Sequence, residues 1–167
     1  IWIEIAEGLG SQVSITDAGN GNSSYTSSTD DRTLPFDFTF YGEEYNTIQI
    51  NTNGWISFGN FEMNAFRNYP IPGAGGPSPM VAAFWADLMP GSSGYVYYYA
   101  SDEYVIIQWD NMRTCGNLYG GWYASNCEGG PRQTFEIILY PSNEIKIQYQ
   151  DFNNASDGNY PNGGTPS

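Results

Sequence analysis

The sequence predicts an all-β protein, an antiparallel two-sheet β-sandwich of jelly-roll-like character, on three observations. First, residues 34–59 hold three alternating apolar/polar runs: Phe36, Phe38, Phe40, then Ile48, Ile50, then Ile56, Phe58. Side chains alternate faces along a strand, so each run places its apolar members on one side. Second, Asn53-Gly54 separates the last two runs, and this dipeptide tolerates the positive φ angles of a type I′ hairpin turn. Third, two more pairs of alternating runs flank turn-forming residues at 101–103 and 141–144, and no amphipathic helix of ordinary length is present.

In chain order, residues 1–5 alternate Ile-Trp-Ile-Glu-Ile and read as a strand. Residues 16–33 are Gly, Asn, Ser, Thr and Asp with almost no apolar content, the composition of a long surface loop. A strand follows, then a loop at Gly42-Glu43-Glu44, then the tight hairpin. Pro70, Pro72, Pro77 and Pro79 exclude a regular ladder over residues 60–79. Residues 81–88, VAAFWADL, are apolar on both faces, and their shortness favours a buried strand over a helical turn. Residues 95–100 pair with 104–110, and residues 135–140 with 145–150. In the last of these runs Ile145, Ile147 and Tyr149 face one way while Lys146, Gln148 and Gln150 face the other, the signature of a sheet with one buried face. One domain over residues 1–150 is expected, with 151–167 a closing loop or the start of a linker.

Composition narrows function. With 18 acidic and 5 basic side chains the formal net charge is −13, which repels phosphate backbones and anionic lipid. Nucleic acid is thereby excluded as a partner, and no apolar run is long enough to span a bilayer. Few charges, many aromatics, and abundant Tyr, Gly, Asn, Ser and Thr fit a secreted β module. A chain that opens on Ile1 reads as a processed or excised fragment of an exported protein. Outside the cell, a Cys115–Cys127 disulfide would close a loop of about a dozen residues and contribute on the order of 3 kcal/mol, the alternative being two free thiols.

Catalytic signatures are absent. The sequence has no histidine, which removes Ser-His-Asp and Cys-His systems and histidine zinc sites together. Gly73, Gly75 and Gly76 lack the spacing of a dinucleotide loop. Asp87, Asp110 and Glu136 could supply a glycosidase carboxylate pair, but any acidic β protein offers such pairs by chance. The candidate contact residues are Tyr119, Trp122 and Tyr123, rigid aromatics between the cysteines, together with Trp85; the first three either meet a partner or fold back onto the sheet. Asp87 lies in an apolar run, as a metal ligand, a ligand-facing acid or the residue ordering the following turn. Asp30-Asp31, residues 17–22 and Asp151 with Asp157 add hard oxygen donors for calcium, none with EF-hand spacing. Tyr95, Tyr97 and Tyr99 share a strand face, as a cross-strand packing ladder or as an aromatic strip for a glycan or subunit. Sequons stand at Asn22 and Asn154.

Five segments in order resemble the nidogen-like domain and a wider group of modules in secreted and surface multidomain bacterial proteins. They are Phe38-Thr39-Phe40-Tyr41-Gly42, Asn53-Gly54-Trp55-Ile56-Ser57-Phe58-Gly59, Val81-Ala82-Ala83-Phe84-Trp85-Ala86-Asp87, Gly94-Tyr95-Val96-Tyr97-Tyr98 and Thr134-Phe135-Glu136-Ile137-Ile138-Leu139-Tyr140. The resemblance covers roughly residues 34–150. It implies an extracellular β domain for adhesion or matrix contact, with no catalytic residues to carry over. The proline-rich 70–79 segment and the cysteine-bounded loop depart from the animal pattern.

The expected function is that of a non-catalytic extracellular adhesion or binding module, with a protein or glycan partner at the cell surface or in the matrix. Two alternatives stand beside it. One is a self-assembling subunit of a filament or surface layer, a homo-polymer in which the strand at residues 1–5 adds to a neighbour's sheet edge. The other is a carbohydrate-binding module.

Overall fold

The computed structural model describes residues 1–13, 29–59, 79–86, 88–90, 92–114 and 131–152. They form ten strands: β1 (Ser11–Gln12), β2 (Thr29–Phe40), β3 (Glu43–Asn51), β4 (Trp55–Phe58), β5 (Met80–Ala82), β6 (Leu88–Met89), β7 (Tyr95–Ala100), β8 (Val105–Thr114), β9 (Arg132–Leu139) and β10 (Ile145–Phe152). One antiparallel sheet has the order β1-β7-β8-β9-β10, with β6 paired to the far end of β8; the other has the order β2-β3-β4-β5. The described residues contain no helix. Strands β2–β5 and β7–β10 pair with their sequence neighbours, while β1 and β6 join the larger sheet beside β7 and β8, so the chain passes between the sheets after β1 and after β5.

Most of the expected strands are present, with informative differences. β2 starts at Thr29, so residues 29–33 extend the strand rather than close the expected loop; Arg32 sits opposite Ile48. Proline has no amide hydrogen to give, and around Pro35 the ladder shifts register between Thr33 and Phe38. The loop expected at 42–44 is a two-residue turn at Tyr41-Gly42, both with positive φ (51° and 85°), since Phe40 pairs with Glu43. The turn at Asn53-Gly54 is not type I′. Asn51 pairs with Trp55, which leaves a three-residue loop, and only Gly54 in it has positive φ (80°). The apolar run 81–88 is not one strand. It begins in β5, bends at 83–86 and ends in β6 of the opposite sheet, carrying the chain across the sandwich.

The inner faces share one core. Leu34, Phe38, Ile48, Ile50, Ile56 and Phe58 of the smaller sheet meet Val96, Val105, Ile107, Trp109, Phe135, Ile137 and Leu139 of the larger. Aromatic polar tips tie the layers across this apolar contact. Trp109 Nε1 donates to the Asn51 carbonyl at 2.9 Å, Tyr98 Oη to the Thr33 carbonyl at 3.1 Å and Tyr149 Oη to the Ala83 carbonyl at 2.6 Å. The 51–54 turn is wholly buried and knits the crossover in place. Gly54 O accepts from the Ala83 and Phe84 amides, and Asn53 Oδ1 accepts from the Leu88 amide at 3.0 Å.

Candidate functional site

The outer face of the larger sheet concentrates the chemistry of the described residues. Alternation along β7 puts Val96 and Tyr98 in the core and leaves Tyr95, Tyr97 and Tyr99 outside, as their spacing predicts. The same parity puts Ile106, Gln108 and Asp110 of β8, Ile138 and Glu136 of β9, and Lys146 and Gln148 of β10 on this side. Register then aligns Tyr97, Gln108, Glu136 and Gln148 in one row across four strands. A second row runs Tyr99, Ile106, Ile138, Lys146. The rings make edge or tilted contacts, Tyr95 with Tyr97 at 6.2 Å, Tyr99 with Tyr104 at 5.9 Å and Tyr104 with Tyr140 at 6.5 Å.

Residues 1–5 are not a strand; they lie across this face. Ile3 and Ile5 pack with Ile106 and Ile138 among the tyrosines, and Ile5 is fully buried there. The amide of Gln108 grips the segment twice, its Nε2 donating to Glu4 Oε1 at 2.8 Å and its Oε1 accepting from the Ile5 amide at 3.0 Å. Gln148 Nε2 donates to the Ile1 carbonyl at 3.1 Å and to Glu136 Oε1. The turn at 6–9 closes with the Gly10 amide donating to Ile5 O, and β1 then joins the edge of β7. Residues 1–5, expected to add to a neighbour's sheet edge, thus lie on the outer face of their own sheet, with Ile3 and Ile5 seated there.

Three carboxylates share this surface. Burial pushes the Glu136 carboxyl above its ordinary range, against the Gln148 hydrogen bond, and the nearby charge of Glu4 adds to the rise. Asp110 is raised by burial and then by Glu4, opposed by the Thr134 hydroxyl. Burial also acts to raise Glu4, but its hydrogen bonds from Gln108, the Ala6 amide, Trp2 and the Ile5 amide prevail and leave it below its ordinary value. Glu136 and Asp110 therefore hold a proton more tightly when folded. Their contribution to stability is complete below ordinary values of 4.5 and 3.8, and it declines as pH rises through the folded ones. Glu4 contributes above 4.5 and loses its contribution as pH falls. Urea unfolding from about pH 3 to 8 should show wild type losing stability relative to Glu136→Gln as pH rises above 4.5. A difference that grows in the opposite direction contradicts the assignment.

The other sequence candidates fall as follows. Trp85 is 2 % exposed, its ring 6.4 Å from that of Trp55 in a small cluster with Met80, so it packs in the interior and presents no contact surface. Asp31 is exposed on β2, accepting from Gln49 Nε2 at 2.9 Å, and Asp30 sits opposite Ile50 in the ladder. Among the described residues no three carboxylates or thiols converge as a metal site would require. Asp87, Cys115, Tyr119, Trp122, Tyr123, Cys127, Asp157 and the sequons at Asn22 and Asn154 lie outside the described residues. Of the carboxylates weighed for hydrolysis, Glu136 is 0 % exposed beneath residues 1–5, closed to a substrate arriving from solvent. Glu4 and Gln108, which anchor the covering segment, were not among the sequence candidates; the Ile-x-Ile alternation was the signal, but it does not say whether an edge or a face receives the segment.

Comparison with known proteins returns a consistent picture. A family model described as NIDO related matches residues 9–165. Alpha-tectorin of Homo sapiens is 36% identical over 69 residues, covering 41% of this chain and 3% of that protein. Alpha-tectorin of Mus musculus is 37% identical over 59 residues, covering 35% of this chain and 3% of that protein. The matched stretch is thus a small part of these relatives, and both are mammalian, so they carry no link to bacterial modules. No solved structure matches the chain. Among the described residues no helix is long and apolar enough to cross a membrane.

Proposed function

The chain belongs to the NIDO-related family, and on that premise we propose that it is a non-catalytic extracellular binding module, of the matrix or adhesion kind, whose contact surface is the outer face of the six-stranded sheet. The observation that carries this reading is the Tyr95–Tyr97 pair beside Asp110, an aromatic and acidic strip on a rigid strand pair with Tyr95 37% exposed. Rigid aromatics give large contact area at little conformational cost, which suits them to anchor an interface. The stretch shared with alpha-tectorin supports an extracellular setting, and the acidic surface favours a basic partner surface.

A panel of purified matrix proteins and a glycan array, each probed with wild type and with the Tyr95→Ala/Tyr97→Ala double variant, tests the reading. The variant should lose binding at least tenfold while its unfolding free energy falls by only about 0.4–2 kcal/mol, the worth of two cross-strand aromatic positions. Equal binding by the two chains removes this face from the account. A carbohydrate ligand is the second reading, favoured by tyrosine rings next to amide and carboxylate groups, and signal on the glycan array alone selects it. The cysteine-bounded residues Tyr119, Trp122 and Tyr123 are a second contact region on this proposal, tested by Trp122→Ala in the same panel, with a Cys115–Cys127 disulfide holding it and calcium at Asp87 or Asp30-Asp31 as a further element.

A further inference from the structure

Two side chains on the larger sheet hold the covering segment by its backbone, Gln148 donating to the Ile1 carbonyl and Gln108 accepting from the Ile5 amide, and Glu136 lies between them in the row. Main-chain groups are common to every peptide, so this row selects an extended conformation rather than particular residues. Side-chain selection comes from the apolar floor, where Ile106 and Ile138 receive branched aliphatic chains two positions apart. One acceptor in the row is unspent, since Glu136 Oε2 is buried and has no hydrogen-bond partner. Such an atom is costly to leave unpaired.

We propose that the Gln108–Glu136–Gln148 row is a peptide-binding site, filled within one molecule by residues 1–6 and, between molecules, by residues 1–6 of a second copy. The segment Ile-Trp-Ile-Glu-Ile-Ala is the occupant because its fit is already on display: backbone groups of Ile1 and Ile5 in the row, the Glu4 carboxylate on Gln108, and Ile3 and Ile5 on the floor. Exchange is permitted by the turn that follows it. Gly8 has φ 109°, a conformation open to glycine, so the turn has a residue whose backbone can adopt another path. The contacts made within one molecule are the contacts made between two, so exchange needs no new interface. This inference rests on reading the sheet's outer face as a contact surface, but it concerns the row and its floor rather than the Tyr95–Tyr97 strip.

The test uses the full chain carrying Ile5→Asp, which puts a carboxylate where a fully buried methyl-bearing side chain sits and so releases the segment, while the core between the sheets is untouched. Fluorescein-labelled Ile-Trp-Ile-Glu-Ile-Ala peptide, titrated by anisotropy, should bind this variant saturably. It should bind wild type at least tenfold more weakly, because there the row is filled. The Ile5→Asp/Gln108→Ala chain should bind it at least tenfold more weakly than Ile5→Asp does. Mixing wild type with Ile5→Asp should add a heterodimer to the native mass spectrum, absent for Ile5→Asp alone. A variant with β-sheet circular dichroism that binds no peptide overturns the proposal, as does a heterodimer that persists when Gln108 is replaced. If Ile5→Asp does not fold, Ile3→Asp, at a partly buried position, is read in the same way. Failure here leaves the matrix-binding result with Tyr95→Ala/Tyr97→Ala standing, and failure of that panel leaves this titration standing, so the two are told apart.

Discussion

Gly54→Ala is expected to bring the domain to the edge of unfolding. The turn holds Gly54 at φ 80°, in the left-handed region where an L side chain costs ~1–2 kcal/mol. An added Cβ would also lie 1.9 Å from the Phe84 carbonyl oxygen and 3.1 Å from the Phe135 ring, so the crossover backbone must shift. Overpacking of that kind costs roughly 1–3 kcal/mol. Displacement of Phe84 also strains the hydrogen bonds that the Ala83 and Phe84 amides give to Gly54 O. The sum is on the order of 2–5 kcal/mol against a typical total of ~5–15 kcal/mol. Gly42→Ala is the matched control, with φ 85° but open space around it, and should cost only ~1–2 kcal/mol. Urea unfolding followed by tryptophan fluorescence measures both. Equal losses at the two positions would show that the close approach to Phe84 does not hold the sandwich together.

The second large effect is expected at Trp109. Its indole is fully buried, stacked at 5.1 Å and 13° on Phe135, and its Nε1 donates to the Asn51 carbonyl of the opposite sheet. Truncation to Ala opens a cavity between the layers and should cost ~3–5 kcal/mol. Trp109→Phe keeps the stacked ring and removes the donor, leaving a buried carbonyl without that partner, for a loss of about 1–3 kcal/mol. The expected order in urea midpoints is wild type, Phe, Ala. A Phe variant as damaged as the Ala variant would mean that the hydrogen bond, rather than the ring, couples the sheets.

Where the sequence carried the fold, it did so through period-2 alternation in segments that pair with a neighbour close in sequence. β3, β4, β7, β8, β9 and β10 all lie in such hairpins, and alternate apolar residues face the core in β3, β4, β7, β8 and β9, whereas on β10 Ile147 and Tyr149, expected on the buried face, are exposed. It failed where the same signal has two physical solutions. Residues 1–5 alternate like a strand, yet an extended segment laid on a sheet face buries Ile3 and Ile5 just as well as a ladder would. The run 81–88, apolar but for Asp87, begins in one sheet and ends in the other, a course that composition cannot separate from a single buried strand. At 29–33 the polar side chains say loop, but backbone pairing to residues 47–51 needs no apolar side chain. The candidate surface was half legible. The shared face of Tyr95, Tyr97 and Tyr99 follows from their spacing, whereas the Gln108–Glu136–Gln148 row depends on the register of three strands, which no single strand reveals.

The most direct test of the working surface is cross-saturation NMR on the chain bound to the matrix protein selected in the panel. Intensity is expected to be lost at outward-facing residues of β7 and at its partner position on β8, at Tyr95, Tyr97 and Asp110 above all. Loss confined to β2–β5 would place the contact on the opposite sheet and contradict the account.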